Sequence, residues 1–496
     1  MLSCRQISHA FISGARHQNQ ISLAALASKY KSCGFRYFSA MAQERDIVVV
    51  GGGNSAGYLV HWLKDFGTDR KITVFSEEEV APYERPALTK AFLHPPEAAT
   101  RARLPGFHTC AALGKRHELP WYEETGVELL LNTKVANVTA SADGGSVTTA
   151  DGTEYSYKKL IWATGSSART LSQIGKETTA KVFYVRNHAE AHELIAKCES
   201  LKNEGRTDLK AVAIGAGFIG LECAAALMGW GFDVTVIDPF RPLGRILPEV
   251  GGKKLMELYT KRGACTFHVG SNLEAVNENS VTACVDGQSK EIAADIIIVG
   301  VGAQLQTASL IGALPGAAVT EANGPGPAFV VDGSMNVVVN GAPLKSVHVI
   351  GDCAAATINS PEDGKTVTER FETVGWCRYS AKIAAASIVN ECGGSATVDK
   401  MEVHQPFFYS RCFEYTEAPV IWNVIGFVGQ NWGDYKELRE GERHIGAAWV
   451  TSDRLNGVFL ITDDKLGVNN DWVDAAKDFV GKNVSEFLAD AQLTLA

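Results

Sequence analysis

Acidic residues are missing from the first 43 positions of this 496-residue chain, a stretch that holds Arg5, Arg16, Lys29, Lys31, Arg36 and seven serines. Basic, hydroxylated and free of acid is the composition of an organellar transit peptide, so residues 1–43 are set apart from the fold. The apolar core of about 7 to 15 residues that a secretory signal needs after a basic start is also missing. Arg36-Tyr37-Phe38-Ser39 reads as a matrix-protease site and points to the mitochondrion, while the serine content keeps a chloroplast open. Initiation at Met41 would leave a cytosolic form.

Long hydrophobic runs are equally scarce. Ile296 to Val299 is cut short by glycine, and no window approaches the ~18 apolar residues of a membrane span, which excludes integral insertion. No stripe of Lys or Arg exists, and the net charge is −9, which excludes an extended phosphate-binding face and with it nucleic acid. The eleven cysteines form no C-x-x-C pair and have no partner-histidine spacing, so they read as buried thiols and neither a zinc site nor a disulfide framework. Between Gly51 and His108 there is no cysteine at all.

The chain has an ordinary composition, 46% apolar and 21% charged, and its length predicts roughly three domains. "RDIVVVGGGNSAG" runs from a β-branched strand into Gly51, Gly53 and Gly57, then into a helical pattern. "AVAIGAGFIGLEC" repeats the device with Gly215, Gly217 and Gly220, followed by a strand ending at Asp238. Strand, glycine turn, helix and a downstream acid form the dinucleotide-binding fingerprint, and two copies imply two nucleotides. After the first copy, "KITVFSEE" puts Glu77 or Glu78 where a ribose hydroxyl needs an acceptor.

"YKKLIWATGSSAR" and "SVHVIGDCAAA" read as further strands, ending at Gly165 and at Gly351-Asp352, with a helix amino terminus expected after Asp352 to face phosphate or carbonyl charge. The predicted fold class is α/β: two Rossmann-like dinucleotide-binding domains plus a carboxyl-terminal α+β domain. A first nucleotide domain covers 44–168 and returns over 304–399, the second is inserted at 169–303, and 400–496 packs as the last.

These four stretches resemble the pyridine-nucleotide flavoprotein reductase superfamily, which implies FAD at the first turn and NAD(P)H at the second. "EEEVAPYERPALTKAFL", "LPGFHTCAALGKRHELPWYEETGVELLLNTKV", "VGVGAQLQT", "RFETVGWCRYSA" and "QPFFYSRCFEY" resemble the monodehydroascorbate reductase family more closely. That resemblance implies a FAD-dependent reductase passing electrons from NAD(P)H one at a time to the monodehydroascorbate radical. FAD is then expected at Gly51, Gly53, Gly57, Glu78, Arg85, Lys90, Arg169 and Asp352, with Lys90 on a helix after the "PYERP" turn. The nicotinamide dinucleotide is expected at Gly215, Gly217, Phe218, Ile219, Gly220 and Glu372, and further cofactor contacts at Gly52, Asn54, Ser55, Gly302, Thr373 and Val374. Arg378 is expected to pair with the substrate anion and Tyr409 to set a ring beside the flavin.

Departures from the family pattern are Thr373 in place of a histidine and Gly375-Trp376-Cys377 ahead of Arg378 in place of Asp-His-Ala. Asp238 would repel a 2′-phosphate and favours NADH, whereas Arg241 would accept that phosphate and keeps NADPH open. The rival enzyme reading is an NADH-dependent ferredoxin or rubredoxin reductase or an apoptosis-inducing-factor-like flavoprotein, whose carrier docking favours a basic surface that this acidic chain lacks. The rival from another class is a redox sensor that only binds NADH and FAD.

Overall fold

The computed structural model describes residues 42–95, 104–174, 181–321, 326–359, 366–398 and 406–495, except 245, 415, 417, 418, 430, 431, 442 and 464–469. The acid-free segment through Met41, the cleavage motif at 36–39 and most of the "ANGPGPA" loop lie outside the described residues. No helix among the described residues is long and apolar enough to cross a membrane.

Continuous apolar runs with fully buried side chains build the two parallel sheet cores, because strands covered on both faces need no polar alternation. In the larger sheet, Gln43–Val50 lies between Ile72–Phe75 and Glu154–Trp162, parallel to both. Ala342–Val349 extends the parallel core beyond Glu154–Trp162, so this twelve-stranded sheet draws on two stretches of chain. The second sheet has five strands, and in it Lys210–Ile214 lies between Asp233–Asp238 and Ile296–Val299, again parallel to both. Each glycine turn therefore leaves the carboxyl end of a strand whose neighbours run to opposite sides, the crevice where doubly wound sheets bind ligands.

A short antiparallel ribbon, Ser166–Ala168 with Ala303–Leu305, ties the chain where it leaves the first sheet to where it comes back. Six antiparallel strands form the last sheet, from Phe407–Cys412 at one edge to Thr494–Leu495 at the other. Helices Asn470–Phe479 and Val484–Ala491 accompany it.

Three helices position the site. Helix α1 (Asn54–Asp65) follows the first glycine turn, α2 (Phe218–Gly229) follows the second, and α3 (Val374–Glu391) packs on α1. No α-helix follows Asp352, contrary to expectation: Gly351–Cys353 is a single 3-10 turn that runs into the strand Ala354–Asn359. The amino terminus that serves this side of the molecule is that of α3, about twenty residues further on.

Candidate functional site

Both glycine turns open into one cavity of about 1330 Å³. That exceeds the ~300–1,000 Å³ of a pocket for a single small molecule. The two turns are built alike. Gly51 has φ +113° and Gly215 φ +100°, and a β-carbon would lie 2.3 Å from the Ala163 carbonyl oxygen in the first and 2.4 Å from that of Gly300 in the second. Only glycine can make these turns. Helices α1 and α2 begin at Gly53 and Gly217 with no side chain capping them, so their first N–H groups are left for a ligand in the cavity. α3 differs, because the Thr373 hydroxyl accepts from Trp376 N at 3.1 Å.

The cavity is lined by every expected cofactor residue except Gly57 and Gly220. Those two pack behind it: a β-carbon on Gly220 would lie 1.9 Å from the Gly215 carbonyl, and one on Gly57 would strike Thr109 and Pro82, not a strand. Arg169 and Gly302 meet at the crossover, with Arg169 N donating to Gly302 O at 3.0 Å.

Several of these residues are partnered with one another. Arg85 donates to Glu78 at 2.7 Å and lies beside Gly53 at the start of α1. Burial pushes the Glu78 carboxyl up, but Arg85 and the Tyr83 hydroxyl outweigh it and hold it below the usual carboxylate range. Asp238 accepts from the backbone N–H groups of Ala216 and Phe240, both at 2.6 Å, which locks the second glycine turn to its strand. Asp352 accepts from Ser166 Oγ at 2.7 Å, and Glu372 pairs with buried Arg370.

Lys90 lies in a turn, not on a helix, because Arg85–Ala87 is a 3-10 turn and residues 88–93 continue as turns. Its ammonium reaches Glu222 of α2 at 2.9 Å. Glu222 is only 3% exposed and also accepts from Thr89 and Ser410, so one carboxylate ties the first nucleotide fold, α2 and the last sheet together at the cavity wall.

Arg378 and Tyr409 lie outside the cavity lining. Arg378 donates to Glu84 at 2.8 Å, its guanidinium over the Tyr58 ring at 5.0 Å. Tyr409 is 53% exposed and stacks near Phe407, while the alternation of the strand sends Phe408 into the cavity, 4.4 Å from the Phe218 ring. Among the described residues Cys377 is the one cysteine on the cavity lining, and burial pushes its thiol up to about 12.

The sequence reading passed over Glu222, Glu84, Arg186 and Phe408. Arg186 reaches Asp352 at 3.6 Å and the Ser166 carbonyl at 2.8 Å, which adds a second guanidinium to the cavity beside Arg85. Glu222 had a signal: it is the lone charge in the apolar run "FIGLECAAALMG", and a charge on such a helix needs a partner.

The model of the pyridine nucleotide-disulphide oxidoreductase family matches residues 45–374. The chain belongs to that family. Over 469 residues it is 34% identical to the chloroplastic/mitochondrial monodehydroascorbate reductase of Arabidopsis thaliana, which covers 91% of this chain and 88% of that one. Over 430 residues it is 35% identical to the peroxisomal monodehydroascorbate reductase 2 of Oryza sativa subsp. japonica, 83% of this chain and 81% of that one. Within the family the chain is thus one of the monodehydroascorbate reductases by sequence. The covalent putidaredoxin reductase–putidaredoxin complex has the same fold, with a TM-score of 0.71 at 19% identity over 89% of this chain and 95% of that one.

This oxidoreductase uses the cofactors of its family, FAD and NAD(P)H, and the cavity fits them. Two uncapped helix termini suit two pyrophosphates, and Arg85 and Arg186 add positive charge at the first. Asn54 Oδ1 at the first turn and Arg241 Nε at the second are buried polar atoms without a partner, which a bound nucleotide can satisfy.

Proposed function

We propose that the protein is a monodehydroascorbate reductase, taking electrons from NAD(P)H and delivering them one at a time to a small organic radical anion. Bound FAD supplies the conversion of a two-electron donor into one-electron deliveries. The observation that carries the reading is a cavity served by two dinucleotide turns, on whose wall the described residues place one thiol, Cys377, held protonated by burial. Among the described residues that lining leaves no cysteine pair to relay electrons, which supports direct delivery from the flavin to an acceptor.

The residues divide the work. Gly51, Gly53, Asn54 and Arg85 hold the pyrophosphate side of FAD, and Asp352 holds its sugar-like chain. Gly215, Gly217 and α2 receive the nicotinamide dinucleotide, with Asp238 favouring NADH over NADPH by repelling a 2′-phosphate. Arg378 attracts the substrate anion and Tyr409 shields it from water. The sharing of strands among the sheets supports domains at 44–168 with 304–399, at 169–303 and at 400–496. Relatives named for chloroplast, mitochondrion and peroxisome support an organellar protein, with the mitochondrial matrix or chloroplast as the site and a cytosolic form from Met41.

The test is purified protein followed by visible absorption, titrated with NADH, then supplied in parallel with enzymatically generated ascorbyl radical or with ferredoxin. A yellow protein that bleaches with NADH and consumes the radical well above its spontaneous decay is expected. Turnover with ferredoxin alone would replace this reading with the carrier-protein one, and binding without turnover would leave the sensor.

A further inference from the structure

Beside α1, outside the cavity lining, three buried side chains converge. His61 of α1, Cys110 and His117 are 5%, 0% and 1% exposed, and their potential ligand atoms all lie within 4.8 Å of one another. Both ring nitrogens of His117 are buried with no hydrogen-bond partner. An imidazole buried without partners is costly and calls for something that satisfies it. Its ring is fixed in place, stacked on Trp121 at 3.6 Å and 14°.

The loop that carries two of the three closes on itself. His117 N donates to Thr109 O at 3.2 Å, Cys110 O accepts from Leu113 N and Lys115 N, and Cys110 itself adopts φ +69°, which a non-glycine residue adopts only when its surroundings hold it there. The donor set is one sulfur and two imidazole nitrogens with no carboxylate, which suits a borderline-soft d-block ion and not Mg²⁺ or Ca²⁺. In a tetrahedral zinc site neighbouring ligand atoms lie about 3.5 Å apart, so closure asks for shifts of about 1 Å.

We propose that His61, Cys110 and His117 bind one Zn²⁺, with a water in the fourth position. On binding, the Cys110 thiol gives up its proton to solvent and the sulfur bonds the ion, while the two histidines bind as neutral imidazoles. The ion clips α1 to the 110–117 loop. Through Thr109 N to Pro82 O at 3.0 Å it also braces the segment that carries Glu84. The site lies outside the cavity lining and takes no part in electron transfer.

The test uses the flavin-loaded full chain, freed of metal with a chelator and titrated with Zn²⁺, and separately with Co²⁺ as a coloured substitute. One equivalent is expected to bind, with a thiolate-to-cobalt charge-transfer band in the near ultraviolet and a Zn²⁺-dependent rise in the thermal midpoint. Cys110→Ser should abolish the band. His117→Gln should lower affinity at least about 100-fold, since loss even of an outer partner of a metal ligand costs 10–100-fold. The His117 side chain gives up no hydrogen bond, so that variant keeps its flavin spectrum and NADH turnover and serves if Cys110→Ser does not fold. Absence of stoichiometric binding, or binding that His117→Gln leaves unchanged, would overturn the proposal.

Discussion

Arg378, on α3, is held by Glu84, which accepts from its guanidinium at 2.8 Å and from the Tyr58 hydroxyl at 2.7 Å. A cation presented this way is oriented by a carboxylate and an aromatic ring before any anion arrives. Charge-assisted hydrogen bonds are worth roughly 1.5–3 kcal/mol. Arg378→Ala is therefore expected to raise the KM for the radical on the order of 10- to 100-fold while flavin reduction by NADH, followed by stopped flow, stays nearly intact. Equal loss in both half-reactions would contradict the role given to this arginine.

The two glycine turns should fail separately. A methyl group on Gly51 collides with the Ala163 carbonyl, and one on Gly215 with that of Gly300. Gly51→Ala should purify without yellow colour. Gly215→Ala should keep its flavin absorbance and lose reduction by NADH at ordinary concentrations. A colourless Gly215→Ala protein would show that the two nucleotides are assigned to the wrong turns.

Lys90 and Glu222 form a pair whose carboxylate is 3% exposed, and removing one partner of such a pair strands a buried charge at a cost of about 3–5 kcal/mol. Glu222→Ala should lower the urea midpoint sharply. The double variant Lys90→Met with Glu222→Leu should recover most of it. Equal midpoints for the single and double variants would mean that the pair is not the source of the loss.

His348 is fully buried with neither ring nitrogen partnered, and burial, helped by Lys159, pulls it down to about 3. In the unfolded chain it titrates near 6.5. Between these two values the unfolded state holds the proton and the native state does not, so stability is complete above 6.5 and is lost as pH falls toward 3. One such group contributes up to about 1.4 kcal/mol per pH unit in that window. His348→Leu should flatten the fall of the urea midpoint between pH 6.5 and 4, and parallel curves would count against it.

Cys377 faces the cavity with its thiol pushed up to about 12 by burial. A thiol so fully protonated is a poor nucleophile. Cys377→Ser should keep more than about half of the turnover, and iodoacetamide at pH 8 should leave the wild type active. Inactivation by alkylation of Cys377 would reopen a sulfur route for the electrons.

The two nucleotide folds were legible because their requirements are local. A left-handed turn at the end of a buried strand admits only glycine, and an uncapped helix start beside it is a phosphate site wherever it occurs, so Gly51, Gly215 and the helices after them could be found from spacing alone. Asp352 was legible as a residue but not as a setting. Whether a strand end passes into a helix or into another strand depends on what the sheet edge can pair with, and here it pairs Ala354–Asn359.

By itself the sequence determined that the protein has two dinucleotide turns, no cysteine between Gly51 and His108, and a resemblance to a family that assigns a cofactor to each turn. Tertiary structure alone decided the partnerships. Lys90 with Glu222 joins positions 132 residues apart, Arg378 with Glu84 joins positions 294 apart, and His61 meets Cys110 and His117 across a helix and a loop. The physical reason is range: backbone conformation is set by neighbours a few residues away, whereas a buried charge or imidazole is satisfied by whatever the packed chain brings within about 3 Å of it.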